Sequence, residues 1–148
     1  MLVYGPFLSG NKRAAFDERV AALDGRITAL GFESRMENLM AGASGVISMG
    51  GYNVFCEILS LDTPAVIVPR TKPRLEQYIR ASRAEELGLI RMLDKSRDGT
   101  SVEQMIEAIR QLPAQPPPSA GGNIDLLNGL NFVADRADEL LASTPQTV

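Results

Sequence analysis

Gly50 and Gly51 close a short apolar run and open a helix-like segment, and the residues after them are the ones equipped for chemistry. Adjacent glycines let the backbone approach a ligand closely, and the helix N-terminus behind them offers unpaired N–H groups to an anion. The helix dipole alone is worth only about 0.3–1 kcal/mol, so an anion site here needs several donors acting together. Asn53 and Glu57 stand four apart and share a face of that helix. Directly beside a phosphate Glu57 would repel it. One turn further along, it can instead accept hydrogen bonds from neutral hydroxyls such as those of a ribose. Downstream, Arg70, Lys72 and Arg74 make a basic loop, and Glu76-Gln77 opens another helix, where an acidic residue suits the dipole. The chain has no histidine. That excludes Ser-His-Asp and Cys-His nucleophile pairs and removes the commonest metal ligand. Unaided catalysis would fall to carboxylates, Lys, Tyr or binding energy.

The elements that must position these groups follow from runs and breakers. Gly45-Val46-Ile47-Ser48 has the length and composition of a buried strand, the helix is expected over 53–61, and Asp62-Thr63-Pro64 ends it. Ala65-Val66-Ile67-Val68 is a second buried strand, ended by Pro69. Strand, glycine turn, helix, turn and strand form a βαβ unit with parallel strands and a right-handed crossover. Upstream, 1–4 reads as a strand ended by Gly5-Pro6. Asn11 or Gly10 caps a helix over 12–23, with Ala15, Phe16, Val20 and Leu23 facing inward. A strand over 26–30, a turn over 31–34 and a short helix over 36–41 follow. Downstream come a helix over 73–87 ending at Gly88, a strand over 89–93, a turn at Asp98-Gly99, and a helix over 102–111 with a capping box of Thr100 and Glu103. This alternation predicts an α/β fold, an open parallel sheet with helices on both faces.

Three stretches organise the chain. Residues 1–112 form the α/β domain. Residues 113–122, with Pro113, Pro116, Pro117 and Pro118, read as a linker that is neither helix nor central strand. Residues 123–148 hold a final amphipathic helix and a tail, with Leu127, Leu130, Val133, Ala134, Ala137 and Leu141 at helical spacing. At 148 residues and 45% hydrophobic, the chain can build a core, and a net charge of −3 argues against nucleic acid as a partner. The single cysteine, Cys56, forms no internal disulfide, suits a reducing cytoplasmic setting and reads as a small core residue. No apolar run reaches the ~18–20 residues of a membrane helix, which leaves at most peripheral membrane contact.

Met49-Gly50-Gly51-Tyr52-Asn53-Val54-Phe55-Cys56-Glu57, followed by Pro64, Pro69 and Glu76-Gln77, resembles the nucleotide-sugar signature of GT-B glycosyltransferases. Plant UDP-sugar transferases carry it as H-x-G-W-N-S-x-x-E, then P, P and D/E-Q. The glycosyltransferase 28 C-terminal domain, found in the UDP-N-acetylglucosamine transferase of peptidoglycan synthesis, has a looser version. The intervals from Glu57 to Pro64 and from Pro64 to Pro69 fit without a gap. Two positions depart from the plant pattern: Met49 stands for its phosphate-contacting His, and Val54 for the Ser or Thr after its Asn. The loop carrying Arg70, Lys72 and Arg74 is also longer.

The resemblance implies a Rossmann-like donor-binding domain for a UDP-sugar. Gly50, Gly51, Tyr52 and Asn53 would meet the diphosphate, joined by Arg70 from the basic loop. Glu57 would take the ribose, Glu76 and Gln77 the sugar, and the turn at Phe32 and Glu33 the base. The implied reaction is glycosyl transfer to an acceptor hydroxyl, with no bound metal and no cofactor. Its catalytic base would come from an N-terminal acceptor domain, on a longer chain or a partner subunit. The order of elements begins at such a domain's second strand, so the sheet is expected to be incomplete at its N-terminus. The last helix would return to the acceptor domain or take a dimer mate. Two other readings stay open: a UDP-sugar 2-epimerase on the same fold, and a non-catalytic α/β interaction module that kept the glycine turn.

Overall fold

A computed structural model describes residues 1–94, 101–122 and 126–143. Strands β1 (Leu2–Val3), β2 (Ala29–Leu30), β3 (Val46–Ser48), β4 (Ala65–Ile67) and β5 (Arg91–Met92) alternate with helices α1 (Gly10–Ala21), α2 (Met36–Ala41), α3 (Tyr52–Ser60), α4 (Glu76–Glu86), α5 (Val102–Gln111) and α6 (Gly129–Ser143). Every strand pair is parallel, in a two-stranded sheet β1-β2 and a three-stranded sheet β3-β4-β5. The expected α/β class holds. The chain divides into two units, Met1–Leu39 and Met40–Val148.

The core of the second unit is built on β4, whose Ala65, Val66 and Ile67 are fully buried. Alternation along the strand sends Ala65 and Ile67 to one face, packed with Phe55 and Ile58 of α3 and Ala81 and Ala84 of α4. Val66 goes to the other face, against Ala108 of α5 and Leu112. The three-stranded sheet is thus covered on both sides, as its apolar runs require. Strand β3 differs from the expected buried strand. It pairs only with β4 among the described residues, and Ile47 is 41% exposed. Val46 donates to Pro64 and Ser48 accepts from Val68, so the peptide groups of Ile47 face the open edge.

Both crossover helices of this unit end in the same way. In α3, Thr63 N–H bonds Ile58 O and Asp62 N–H bonds Leu59 O, with Asp62 in the left-handed region at φ +51°. In α4, Leu89 N–H bonds Ala84 O and Gly88 N–H bonds Glu85 O, with Gly88 at φ +70°. These are Schellman ends, and they fix where the chain turns back toward β4 and β5. Helix α5 is capped one residue later than expected. Ser101 Oγ accepts from Gln104 N–H at 3.3 Å, and Gln104 Oε1 accepts from Ser101 N–H at 3.1 Å. The helix starts at Val102, so its capping box is Ser101 with Gln104 rather than Thr100 with Glu103. Thr100 and the expected Asp98-Gly99 turn lie outside the described residues.

The proline-rich stretch folds back onto this unit. Leu112–Ala114 and Pro118–Gly121 are short 3-10 turns, each with proline near its start. Leu112 and Pro118 are buried. Gln115 Nε2 donates to Ala65 O at 2.9 Å, and the Ser119 amide and hydroxyl both donate to the Asp62 carboxylate at 2.7 Å. In α6 the expected apolar face is open: Leu130, Val133 and Leu141 are 62–80% exposed, Leu140 beside Val133 is 55% exposed, and Phe132 on another face is exposed too.

In the first unit, β1 and β2 pair in the register Leu2↔Ala29 and Val3↔Leu30. The expected inward face of α1 is not buried; Phe16 is 40% exposed and no residue of the helix is buried. A two-stranded sheet gives little apolar surface to cover, and polar contacts hold α1 instead. Tyr4 stacks on Phe16 at 6.0 Å, lies under Arg13 at 5.8 Å, and donates its hydroxyl to Asp17 at 2.8 Å. Local desolvation and the neighbouring Asp17 carboxylate raise the Tyr4 phenol above its ordinary pKa.

Ile58, fully buried between α3 and the sheet, sets a test of this core. Ile58→Ala is expected to cost about 2–5 kcal/mol. Ile109→Ala, at a half-exposed position of α5, should stay within about 0.5 kcal/mol. Urea unfolding of both variants checks the contrast.

Candidate functional site

Two loops meet at the carboxyl edge of the three-stranded sheet. Parallel neighbours β3 and β4 both point their C-termini there, so the β3–α3 turn and the β4–α4 loop lie side by side. In open α/β sheets this is the edge where ligands bind.

The β3–α3 turn is held from several directions. Gly50 is buried at φ +67°, a conformation that favours glycine. A Cβ there would stand 2.7 Å from Ile67 Cγ2, so the turn sits directly on β4. Gly50 N–H donates to Ser48 Oγ at 3.1 Å, and Gly50 O accepts from Arg80 Nη1 at 3.0 Å. Gly51 is the N-cap of α3 and has no side chain to occupy the helix end. The first intrahelical bond runs from Phe55 N–H to Gly51 O. The amides of Tyr52, Asn53 and Val54 therefore precede any intrahelical acceptor. Nothing stands within 4 Å of the position a Gly51 Cβ would take. The end of α3 is an open set of donors, suited to an anion.

The β4–α4 loop brings the polar groups expected from the sequence, arranged in pairs. Gln77 Oε1 accepts from the Arg70 amide at 3.1 Å, so Gln77 ties down the start of the basic loop. The side chains of Arg70, Lys72 and Arg74 are exposed. Glu76, 62% exposed, pairs with Arg80 at 2.5 Å. Arg80 is the residue that sequence reasoning missed. Its side chain is only 18% exposed, and its guanidinium joins Glu76 to Gly50 O and lies 5.4 Å from the centre of the Tyr52 ring. Its signal was the Glu76–Arg80 spacing, an acid four residues before a base on one helix. Ser48, which holds the Gly50 amide, was missed as well.

The structure thus joins Gly50, Arg80, Glu76 and Tyr52 by direct contact, and Arg70 with Gln77 in the neighbouring loop. Tyr52 and Asn53 are exposed at the helix start, and Glu57 is half-buried one turn further in. Met49, at the position of the signature's His, is 50% exposed beside the turn. Phe32 and Glu33 belong to the first unit. Phe32 is 65% exposed, and Glu33 Oε1 accepts from the Arg35 amide at 2.9 Å, a local bond just before α2. Cys56 is half-buried on α3. Among the described residues no three His, Cys, Asp or Glu side chains stand close enough to hold a metal.

Two hollows lie elsewhere. One of about 460 Å³ is lined by Gly88, Ile90, Arg91, Gln111 and Gln115, and one of about 530 Å³ by Leu59, Asp62, Leu89, Pro118 and Ser119. They gather the ends of α3 and α4 and the approach to β5, at the opposite edge from the glycine turn. Neither contains a candidate site residue. The donors and charges converge at the carboxyl edge.

Residues 8–136 match the family described as Glycosyltransferase family 28 C-terminal domain. No curated protein matches the chain.

Gly50 and Gly51 should part on substitution. Gly50→Ala meets the about 1–2 kcal/mol strain of a left-handed alanine and must also displace Ile67. Gly51→Ala only weakens a cap, at roughly 0.5–1 kcal/mol. Urea unfolding is expected to show the larger loss at Gly50, and equal losses would contradict the packing described.

Proposed function

We propose, from the premise that this chain belongs to the glycosyltransferase family 28 C-terminal domain family, that its donor is a nucleotide-sugar with a diphosphate, a UDP-sugar. The observation that carries the reading is the open amino end of α3, set on a buried glycine turn at the carboxyl edge of β3. The amides of Gly51, Tyr52 and Asn53 cradle the diphosphate, and the exposed Arg70 side chain adds a cation from the adjoining loop. Glu57, a turn away, accepts hydrogen bonds from the ribose hydroxyls. Glu76 and Gln77 meet the sugar hydroxyls.

In this reading the domain serves glycosyl transfer by holding the anomeric carbon and stabilising the departing diphosphate. Fixed amides and cations do that well, because their dipoles already point where charge collects on the leaving group. The acceptor hydroxyl attacks the anomeric carbon, the bond to the diphosphate breaks, and UDP leaves. No metal or cofactor is invoked. The base that takes the hydroxyl proton belongs to an acceptor-binding half, carried on a longer chain or a partner subunit. The open apolar face of α6 would be covered by that half or by a second copy of the chain. A cytoplasmic setting fits the lone, half-buried Cys56. No described helix is long and apolar enough to cross a membrane.

A titration of the 148-residue chain with UDP by calorimetry tests the reading. A dissociation constant around 0.1–1 mM is expected, about 4–5.5 kcal/mol. Glu57→Ala should weaken binding about tenfold or more, the loss of charge-assisted hydrogen bonds. Absence of heat at saturating UDP would overturn the reading in favour of a non-catalytic module, which the departure at Met49 suits. A second measurement concerns turnover: the chain with a UDP-sugar and candidate acceptors is expected to give no steady product without another protein.

A further inference from the structure

We infer that Arg80 is a positioning residue for the donor diphosphate, setting the direction in which the glycine turn presents its amides. The inference rests on the donor reading above. It starts from the geometry of one peptide. In a trans peptide the C=O and the following N–H point opposite ways across a plane. Arg80 Nη1 holds Gly50 O at 3.0 Å, so the Gly51 N–H of the same peptide is turned away from the guanidinium. The preceding peptide is fixed too, because Gly50 N–H is bonded to Ser48 Oγ. Both peptides around Gly50 are therefore oriented, one by a hydroxyl and one by Arg80.

The guanidinium is itself anchored. Its second nitrogen pairs with Glu76 at 2.5 Å, its Cζ lies 5.4 Å from the Tyr52 ring centre, and the side chain is only 18% exposed. A planar fork meets Gly50 O and the Glu76 carboxylate with two nitrogens at once, which a lysine ammonium, a point charge on a flexible stem, does poorly. Because Tyr52 is the first residue of α3, the same group that aims Gly51 N–H also steadies the helix end. Arg80 touches no substrate atom in this scheme; it acts through Gly50 and Tyr52.

The test compares the wild-type chain with Arg80→Ala, Arg80→Lys and the control Arg83→Ala, which removes an exposed pair with Glu86 on the same helix. Each is titrated with UDP, its fold is checked by circular dichroism, and the amide shifts of Gly51 and Tyr52 are read by 15N NMR. Arg80→Ala is expected to weaken UDP binding about tenfold, the scale of a charged hydrogen bond. Arg80→Lys should recover only part of that loss, with the Gly51 and Tyr52 amides displaced in both variants and Arg83→Ala unchanged throughout. A folded Arg80→Ala that binds UDP as the wild type does would overturn the inference. So would full recovery by Arg80→Lys, which retains charge but not the fork. If the wild type itself binds no UDP, the donor reading fails and takes this inference with it. Wild-type binding with an indifferent Arg80→Ala sinks the inference alone.

Discussion

The close seat of Gly50 on Ile67 is the constraint on which the rest of the second unit depends. With φ at +67° and no room for a Cβ, the chain can leave β3 and enter α3 in only one direction at this point. That direction lays α3 along the face of β4 where Phe55 and Ile58 are buried. It also puts the Gly50 carbonyl where Arg80 of α4 can reach it. One residue therefore links a core contact, the course of a helix and the orientation of the exposed amides. The conformational cost of a left-handed residue is smallest at glycine, so the turn is held without strain. The burial around it supplies the rigidity that a loop at a sheet edge would otherwise lack.

Rigidity at the opposite edge comes from a different source. The segment after α5 closes over the sheet through single, well-placed bonds, Gln115 to Ala65 O and Ser119 to both oxygens of Asp62. Asp62 is already committed to a left-handed conformation at the end of α3. Its carboxylate does a second task by fixing the second 3-10 turn. Leu112 presses so close to Gly45 that a side chain there would collide with it. The entry to β3 is thus packed by the segment leaving α5, far away in sequence.

This explains which parts were legible in the sequence. Strands β3, β4 and β5 and helices α2, α3, α4 and α5 follow from apolar runs bounded by Gly, Pro and Asp, because those signals act over a few residues. The helix over 102–111 was placed correctly while its cap was shifted by one, since Thr100 and Ser101 are both able caps and only the start at Val102 decides between them. Residues 113–122 read as a linker because proline content speaks to local conformation and is silent on contacts fifty residues away. The inward face of α1 failed for a related reason: helical spacing shows which residues share a face, not whether a surface waits to cover it. The glycine turn and Glu76-Gln77 were visible as a pattern. Arg80 was not, because its partner on the turn is a backbone carbonyl, which no side-chain motif records.

The charges at the carboxyl edge bear on why such an arrangement is needed. Glu57 and Glu76 both stand near an amide set that suits an anion, and like charges about 4 Å apart repel by roughly 1 kcal/mol in water and about 4 kcal/mol at an effective dielectric of 20. An unpaired Glu76 would work directly against a diphosphate. Pairing with Arg80 through one oxygen offsets its charge, and the other oxygen is left for hydroxyls. The chain as a whole, at a net charge of −3, offers an anion no long-range attraction. Affinity must then come from donors that are already aimed before the ligand arrives, since reorienting peptides on binding would consume most of what a few hydrogen bonds provide. The bonds to Gly50 from both sides meet that requirement. In the proposed donor reading, they hold the donors of this edge ready for a ligand that combines an anion with hydroxyls set a helical turn away.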